Sequence, residues 1–167
     1  MNNNILVIIG ATRPNNYGSR IAEIVSRKIR EIDPKINLSI VSPNDFSFQY
    51  DSDIDLKYIE LLNLNSKIII VLSEYNHGYP GKLKTLLDSA YEEYKDKKVL
   101  LVGVSSGPIG GARGITALLP VLRTLKTKIF YKDILIPFVE SNIINGNLKD
   151  PNLNKSAENI IKDFLNW

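Results

Sequence analysis

Short apolar runs alternate along the chain with longer stretches in which apolar residues recur every three or four positions. Ile5–Ile9 is continuous and rich in β-branched residues, the pattern of a strand buried on both faces. Ile36–Val41 alternates and predicts a second strand. Ile68–Leu72 and Val99–Val104 predict a third and a fourth. Lys128–Phe130 and Ile134–Phe138 together supply a fifth, interrupted at Tyr131–Asp133. Between the first two strands, Ile21, Ala22, Ile24, Val25, Ile29 and Ile32 fall at helical spacing over Tyr17–Ile32, and Pro34 follows as a stop signal. Further helices are predicted over Ile54–Leu62, Pro80–Tyr94, Gly111–Leu125 and Lys155–Leu165. Ser42–Asp53 and Asn145–Asn152 read as turn-rich loops.

Five strands alternating with helices predict an α/β fold: a parallel sheet in the order 2-1-3-4-5 with helices on both faces. The 167 residues suit one domain spanning the whole chain, with a sizeable core. A net charge of +3, with basic residues only in short clusters such as Lys95-Asp96-Lys97-Lys98, gives no footprint for a nucleic-acid partner. The absence of cysteine excludes disulfides, thiolate metal sites and a cysteine nucleophile. A lone histidine cannot build a histidine metal site. The amino terminus lacks a basic segment and no apolar run reaches spanning length, so the expectation is a cytoplasmic protein without a membrane partner.

Three loops at the carboxyl ends of strands carry the candidate chemistry, because open α/β sheets bind ligands there. The first is Gly10–Ser19. A helix start supplies unpaired N–H groups and a positive dipole end, which suits a phosphate. Arg13 adds a charged fork, and Asn16, Tyr17 and Ser19 add side-chain donors. The alternative is an ordinary turn with Asn16 or Ser19 as helix cap. The second loop, Ser73–Lys84, offers the ring faces of Tyr75 and His77, the amide of Asn76 and an open backbone at Gly78, which fits a flat ligand with polar edges such as a flavin ring. The third, Ser105–Gly114, has four glycines within eight residues and would let backbone amides turn toward a ligand edge. Each loop alone also reads as a plain connector. Together they would converge on one crevice, and their parts make a mononucleotide site. Neither G-x-x-x-x-G-K-[ST] nor G-x-G-x-x-G occurs, which disfavours a P-loop triphosphatase and a Rossmann dinucleotide site. No acidic cluster is visible for magnesium, so FMN fits better than a metal-dependent nucleotide.

With those residues in hand, the chain resembles the NAD(P)H-dependent FMN reductase family, the flavodoxin-like chromate, quinone and azo-dye reductases. The resemblance covers roughly Ile5 to Asp150. It rests on Gly10-x-Thr12-Arg13, on Glu74-Tyr75-Asn76 followed by Pro80-Gly81-x-Leu83-Lys84 and Leu87-Asp88, and on Ser105 to Arg113. It implies that Arg13, Asn16, Tyr17, Gly18 and Ser19 hold the FMN phosphate. It implies that Ser73, Glu74, Tyr75, Asn76, His77 and Gly78 line the isoalloxazine ring, and that Ser105, Ser106, Gly107, Gly110 and Gly111 approach its pyrimidine edge. Two departures stand out, Ala11 where the family often has serine and Ser73 where it often has proline. The resemblance further implies FMN as cofactor, NAD(P)H as co-substrate, a small-molecule acceptor, ping-pong turnover with no catalytic acid or base from the protein, and a homodimer or homotetramer. A flavodoxin-type electron carrier and a flavin-binding sensor are the alternatives. The mild positive charge argues against the carrier, which is usually strongly acidic.

Overall fold

The computed structural model describes residues 4–47 and 55–167. The apolar runs form β1 (Asn4–Ile9), β2 (Asn37–Val41), β3 (Lys67–Ser73) and β4 (Lys98–Val104), all parallel and ordered β2-β1-β3-β4. The fifth position is filled in two pieces. β5 (Lys128–Ile129) pairs with the start of β4, and β6 (Ile134–Ile136) pairs with its end through Val102↔Ile134 and Val104↔Ile136. The interruption at residues 131–133 therefore falls where the sequence predicts it, and the order is 2-1-3-4-5.

Alternation along each strand sends side chains to two separate cores. Ile5, Val7, Ile69, Val71, Leu100 and Val102 pack under α1 (Tyr17–Ile32) and α6 (Pro151–Asn166). Leu6, Ile8, Ile68, Ile70, Leu72, Val99 and Leu101 pack under α2 (Leu56–Leu64), α3 (Gly81–Asp88) and α4 (Ala112–Thr124). Burial on both faces explains why β1, β3 and β4 read as unbroken apolar runs, whereas the more exposed edge strand β2 alternates.

The differences from the sequence reading have local causes. The segment predicted as one helix over Pro80–Tyr94 is α3 followed by a separate 3-10 turn, Glu92–Tyr94. Ser89 ends α3 by donating its hydroxyl to the Leu86 carbonyl at 2.8 Å. The turn then buries Tyr94, whose hydroxyl hydrogen-bonds that of Tyr58 on α2. Apolar residues at helical spacing continue across the break, so periodicity could not reveal it. α2 begins at Leu56 behind its Asp55 cap, and Ile54 lies outside the described residues. Of the loop predicted over Ser42–Asp53, Pro43–Asp45 form a 3-10 turn, and residues 48–53 lie outside the described residues.

The stretch predicted as a loop over Asn145–Asn152 instead holds the turn of a hairpin. β7 (Ile143–Ile144) pairs with β8 (Asn147–Leu148) across Asn145 and Gly146, which have φ of 49° and 72°. That is the Asn-Gly hairpin signal. α6 starts at Pro151 rather than Lys155, because Asp150 caps it and proline is pre-set for the first helical position. A short helix, α5 (Val139–Asn142), follows β6 and was not foreseen.

For the site, the important feature is the switch point. β2 lies on one side of β1 and β3 on the other, so the loops leaving β1 and β3 diverge and open a crevice. No helix among the described residues is long and apolar enough to cross a membrane.

Candidate functional site

The loop after β1 is organised by its own side chains. Gly10 extends the sheet by donating its N–H to the Val71 carbonyl at 2.8 Å. Asn16 caps α1: its Oδ1 accepts from the Ser19 N–H (2.8 Å) and hydroxyl (3.2 Å), and its Nδ2 donates to the Arg13 carbonyl (2.7 Å). Asn16 and Ser19 are thus engaged in shaping the loop. The first-turn N–H groups of Tyr17 and Gly18 have no acceptor within the helix and point out of its start. A side chain at Gly18 would meet Asn16 Oδ1 at 3.0 Å and Ser73 Oγ at 3.3 Å, so this glycine seats the helix start on the end of β3. Arg13 is exposed, with its guanidinium 4.7 Å from the centroid of the Tyr75 ring, a cation–π contact.

The segment after β3 is a tight turn. Tyr75 and Gly78 exchange backbone hydrogen bonds of 3.0 and 2.9 Å around Asn76 (φ 49°) and His77 (φ 62°). Gly78 is not left-handed, and a Cβ on it would meet only the Tyr75 carbonyl at 3.6 Å. Asn76 and His77 carry that conformation instead, which asparagine and histidine tolerate better than most residues. The turn is held from α4. Arg113 Nη1 lies 2.9 Å from His77 Nε2, and since an arginine can only donate, Nε2 accepts. The Glu74 side chain, 9% exposed, accepts the Arg113 backbone N–H at 3.2 Å and faces its guanidinium at 4.0 Å. A carboxylate at a helix start is favoured by the helix dipole. Gly114 completes the contact, because a Cβ there would lie 2.8 Å from the Gly78 carbonyl oxygen.

The loop after β4 is tied down from behind. Ser105 donates to Ile136 (3.2 Å), Val139 donates to Ser105 (3.1 Å), and Phe138 donates to Gly107 (3.1 Å). Ser106 Oγ reaches Glu140 Oε1 at 3.4 Å. Two glycines assigned to the ligand edge have a different reason to be glycine. Gly110 and Gly111 are buried with φ of 61° and 86°. Side chains there would lie 2.8 Å from the Leu135–Ile136 backbone and 2.5 Å from Val104 N. They pack the loop onto β4 and β6. Among the described residues, the Ser106 and Gly107 N–H groups have no internal acceptor.

The three loops meet in one cleft of about 270 Å³. It is lined by residues 13–17, 73–75 and 104–106, with Val139 from α5. Of the residues expected at the site, Gly18, Ser19, Asn76, His77, Gly78, Gly107, Gly110 and Gly111 stand beside this lining rather than in it. A second cleft lies across residues 13–16, toward β2. The sequence reading did not include Val139 or Arg113 among the site residues. A signal for Val139 existed: a segment that leaves the strand next to β4 must emerge beside the loop that follows β4. The donor set suits a phosphate monoester carrying a flat ring. Paired helix-start N–H groups and Arg13 stand at one end, Tyr75 supplies an aromatic face, and the Ser106 and Gly107 amides supply an edge.

Comparison with known proteins agrees with this geometry. The sequence profile described as NADPH-dependent FMN reductase matches residues 3–137. The NAD(P)H-dependent FMN reductase of Saccharomyces cerevisiae is 28% identical over 74% of the chain and 75% of its own length. The 2-hydroxy-1,4-benzoquinone reductase of a Burkholderia species is 25% identical over 98% of the chain and 94% of its own length. Among solved structures, the FerB flavoenzyme NAD(P)H:(acceptor) oxidoreductase of Paracoccus denitrificans superposes with a TM-score of 0.80 at 19% identity, covering 98% of this chain and 96% of its own. An archaeal flavodoxin superposes with a TM-score of 0.64 at 12% identity, covering 98% of this chain and 96% of its own. With the profile spanning most of the sheet and all three loops, the chain belongs to the NADPH-dependent FMN reductase family, as an oxidoreductase that uses FMN and a nicotinamide nucleotide.

Proposed function

We propose that the cleft holds one FMN and passes electrons from NAD(P)H to a small acceptor such as a quinone, an azo compound, a metal oxyanion or free flavin. The observation that carries this reading is the convergence of the three loops on one cleft, with a phosphate-sized donor set at one end only. Arg13 and the Tyr17 and Gly18 N–H groups would hold the phosphate, while Asn16 and Ser19 keep that loop in shape. Ser73, Glu74 and Tyr75, with the Asn76–Gly78 turn, would flank the ring. Ser105, Ser106 and Gly107 would approach its polar edge, with Gly110 and Gly111 setting their height. Bound FMN supplies the redox chemistry, accepting two electrons at once and releasing them singly or in pairs. The protein's own residues bind, orient and limit access, and no side-chain acid or base is assigned.

The nicotinamide nucleotide and the acceptor would use the same open face of the cleft in turn, giving ping-pong kinetics. The whole chain would act as one FMN-binding domain in the cytoplasm. An apolar groove between α3 and α4, lined by Ala90, Tyr91, Pro120, Val121 and Leu125, offers a surface for a second copy in a homodimer or homotetramer. The test is steady-state kinetics with NADPH and a quinone at several fixed concentrations of each. Parallel double-reciprocal lines are expected. Intersecting lines would reject the shared face.

A further inference from the structure

Phe138 combines three properties that packing alone does not explain. It is a non-glycine residue in the left-handed region, with φ of 45° and ψ of 46°. Such a backbone is strained for a residue with a side chain and persists only when its surroundings impose it. Its side chain is 50% exposed, so apolar burial offsets only part of that strain. Its backbone is bonded to the loop after β4 and directly precedes Val139, which lines the cleft, while Phe138 itself lies just outside that lining.

The surroundings do impose this backbone. The Phe138 N–H is bound to the Gly107 carbonyl at 3.1 Å. Its own carbonyl accepts from the Ser141 N–H (3.0 Å) and hydroxyl (3.0 Å) and from the Asn142 N–H (3.1 Å). The Asn142 side chain clamps the preceding carbonyl, that of Pro137, at 2.7 Å. Nothing in this clamp uses the ring, and an asparagine or glycine would satisfy the same backbone with less strain. A strained, clamped and half-exposed aromatic next to the lining of a cleft points to a task for the ring.

We propose that Phe138 is a specificity residue whose exposed ring, next to the cleft lining, stacks on the outward face of planar aromatic acceptors bound there, favouring quinones over non-aromatic oxidants. This rests on the reading of the cleft as a flavin site, and the experiment separates the two. Phe138→Asn removes the ring and relieves the backbone, while Phe138→Tyr keeps the ring. Wild type and both variants, loaded with FMN and reduced anaerobically, are mixed in a stopped-flow instrument with a naphthoquinone or with ferricyanide. FMN affinity, the melting temperature of the flavin-free protein and assembly by light scattering are measured alongside.

The Asn variant is expected to lose about three- to tenfold in the quinone rate, the worth of one aromatic pair. The Tyr variant should keep the wild-type rate, and ferricyanide should not distinguish the three. Flavin-free Phe138→Asn should melt at or a few degrees above wild type, and FMN affinity should not change. Equal quinone rates in all three proteins overturn the proposal while leaving the flavin site intact. A lower melting temperature with weakened FMN binding in the Asn variant overturns it in favour of a packing role. Altered assembly with an unchanged quinone rate overturns it in favour of a subunit contact. Failure of the wild type to bind FMN overturns both readings.

Discussion

The two ends of the same sheet are built for different purposes. At the amino edge, polar groups are closed on one another. The Lys67 ammonium donates to the Phe164 carbonyl at 3.0 Å and to that of Leu165, and Lys98 donates to that of Trp167. These lysines cap the last turn of α6, where its carbonyls lack helical partners. Lys97 donates to the Asn65 carbonyl at 2.7 Å. Burial, with the nearby Lys98 charge, holds the Lys67 ammonium below its usual range, so this edge accepts a desolvation cost to anchor a helix. At the carboxyl edge, helix-start and loop N–H groups are left for a ligand. Asn15, Asn76, His77 and Phe138 are all left-handed there. Asp96 and Lys126, just before β4 and β5, are left-handed too, so backbone strain is common to both ends; the strands differ in closure on one side and unspent donors on the other. The lesson is that the amino edge and core should govern stability, and the carboxyl edge should govern binding.

That division can be broken most forcefully in the core. Ile70 is fully buried in β3, and Ile70→Ala should cost about 2–5 kcal/mol of unfolding free energy, read by denaturant titration. FMN affinity of the fraction that remains folded should barely change. At the other end, Arg13→Ala should weaken FMN binding by about 1.5–3 kcal/mol, the worth of a hydrogen bond to a charged group. Its melting curve should match wild type. Equal FMN affinity would remove Arg13 from the site.

A smaller effect is expected at the joint between the two regions. In Gly114→Ala, a Cβ would press on the Gly78 carbonyl oxygen and on Leu72 Cδ1, both at 2.8 Å. Overpacking of this kind costs about 1–3 kcal/mol. If the Tyr75–Gly78 turn yields, that cost should appear as weaker FMN binding, and if it does not, as a lower melting temperature. A loss in melting alone would place the turn with the scaffold.

The buried hydroxyl pair sharpens the stability side. Burial raises both tyrosine hydroxyls, Tyr58 and Tyr94, above their ordinary range. An acid whose pKa is raised by folding keeps its proton in the folded state while the unfolded chain loses one. The stability that depends on it is therefore complete below about pH 10, the unfolded value, and falls as pH rises beyond it. Tyr58→Phe alone should cost about 1–3 kcal/mol, because it leaves the Tyr94 hydroxyl buried without its partner. The double change to phenylalanine should be milder and should flatten the alkaline fall. The smallest effect is expected for Lys67→Met, about 1 kcal/mol from lost capping, with FMN affinity unchanged.

Much of the scaffold was legible in the sequence because both faces of the strands are covered. Ile68–Leu72 and Val99–Val104 could hardly be anything else, and the interrupted fifth strand followed from its two apolar pieces. The misses lie where local hydrogen bonds outrank periodicity. Ser89 stops α3 although apolar spacing continues to Tyr94, and Asp150-Pro151 starts α6 a full turn early. At the site, the loops could be named from the sequence, but the direction each residue faces could not. Gly78, Gly110 and Gly111 all looked like openings for a ligand. Only coordinates distinguish a glycine that admits a ligand from one that packs on β4, or show that Asn76 and His77 take the left-handed turn. Val139 and Phe138 were missed although the predicted strand order already set the fifth strand beside the fourth: Phe138 falls inside the predicted strand, and the turn into the short α5 that brings both beside Ser105–Gly107 has no periodic signal.

The most direct test of the central claim is a titration of flavin-free protein with FMN and, separately, with FAD, followed by quenching of flavin fluorescence. The three-loop cleft, with donors for one phosphate and no second glycine-rich fingerprint, predicts saturation at one FMN per chain and clearly weaker binding of FAD. Preference for FAD, or no saturable binding of either flavin by correctly folded protein, would contradict it.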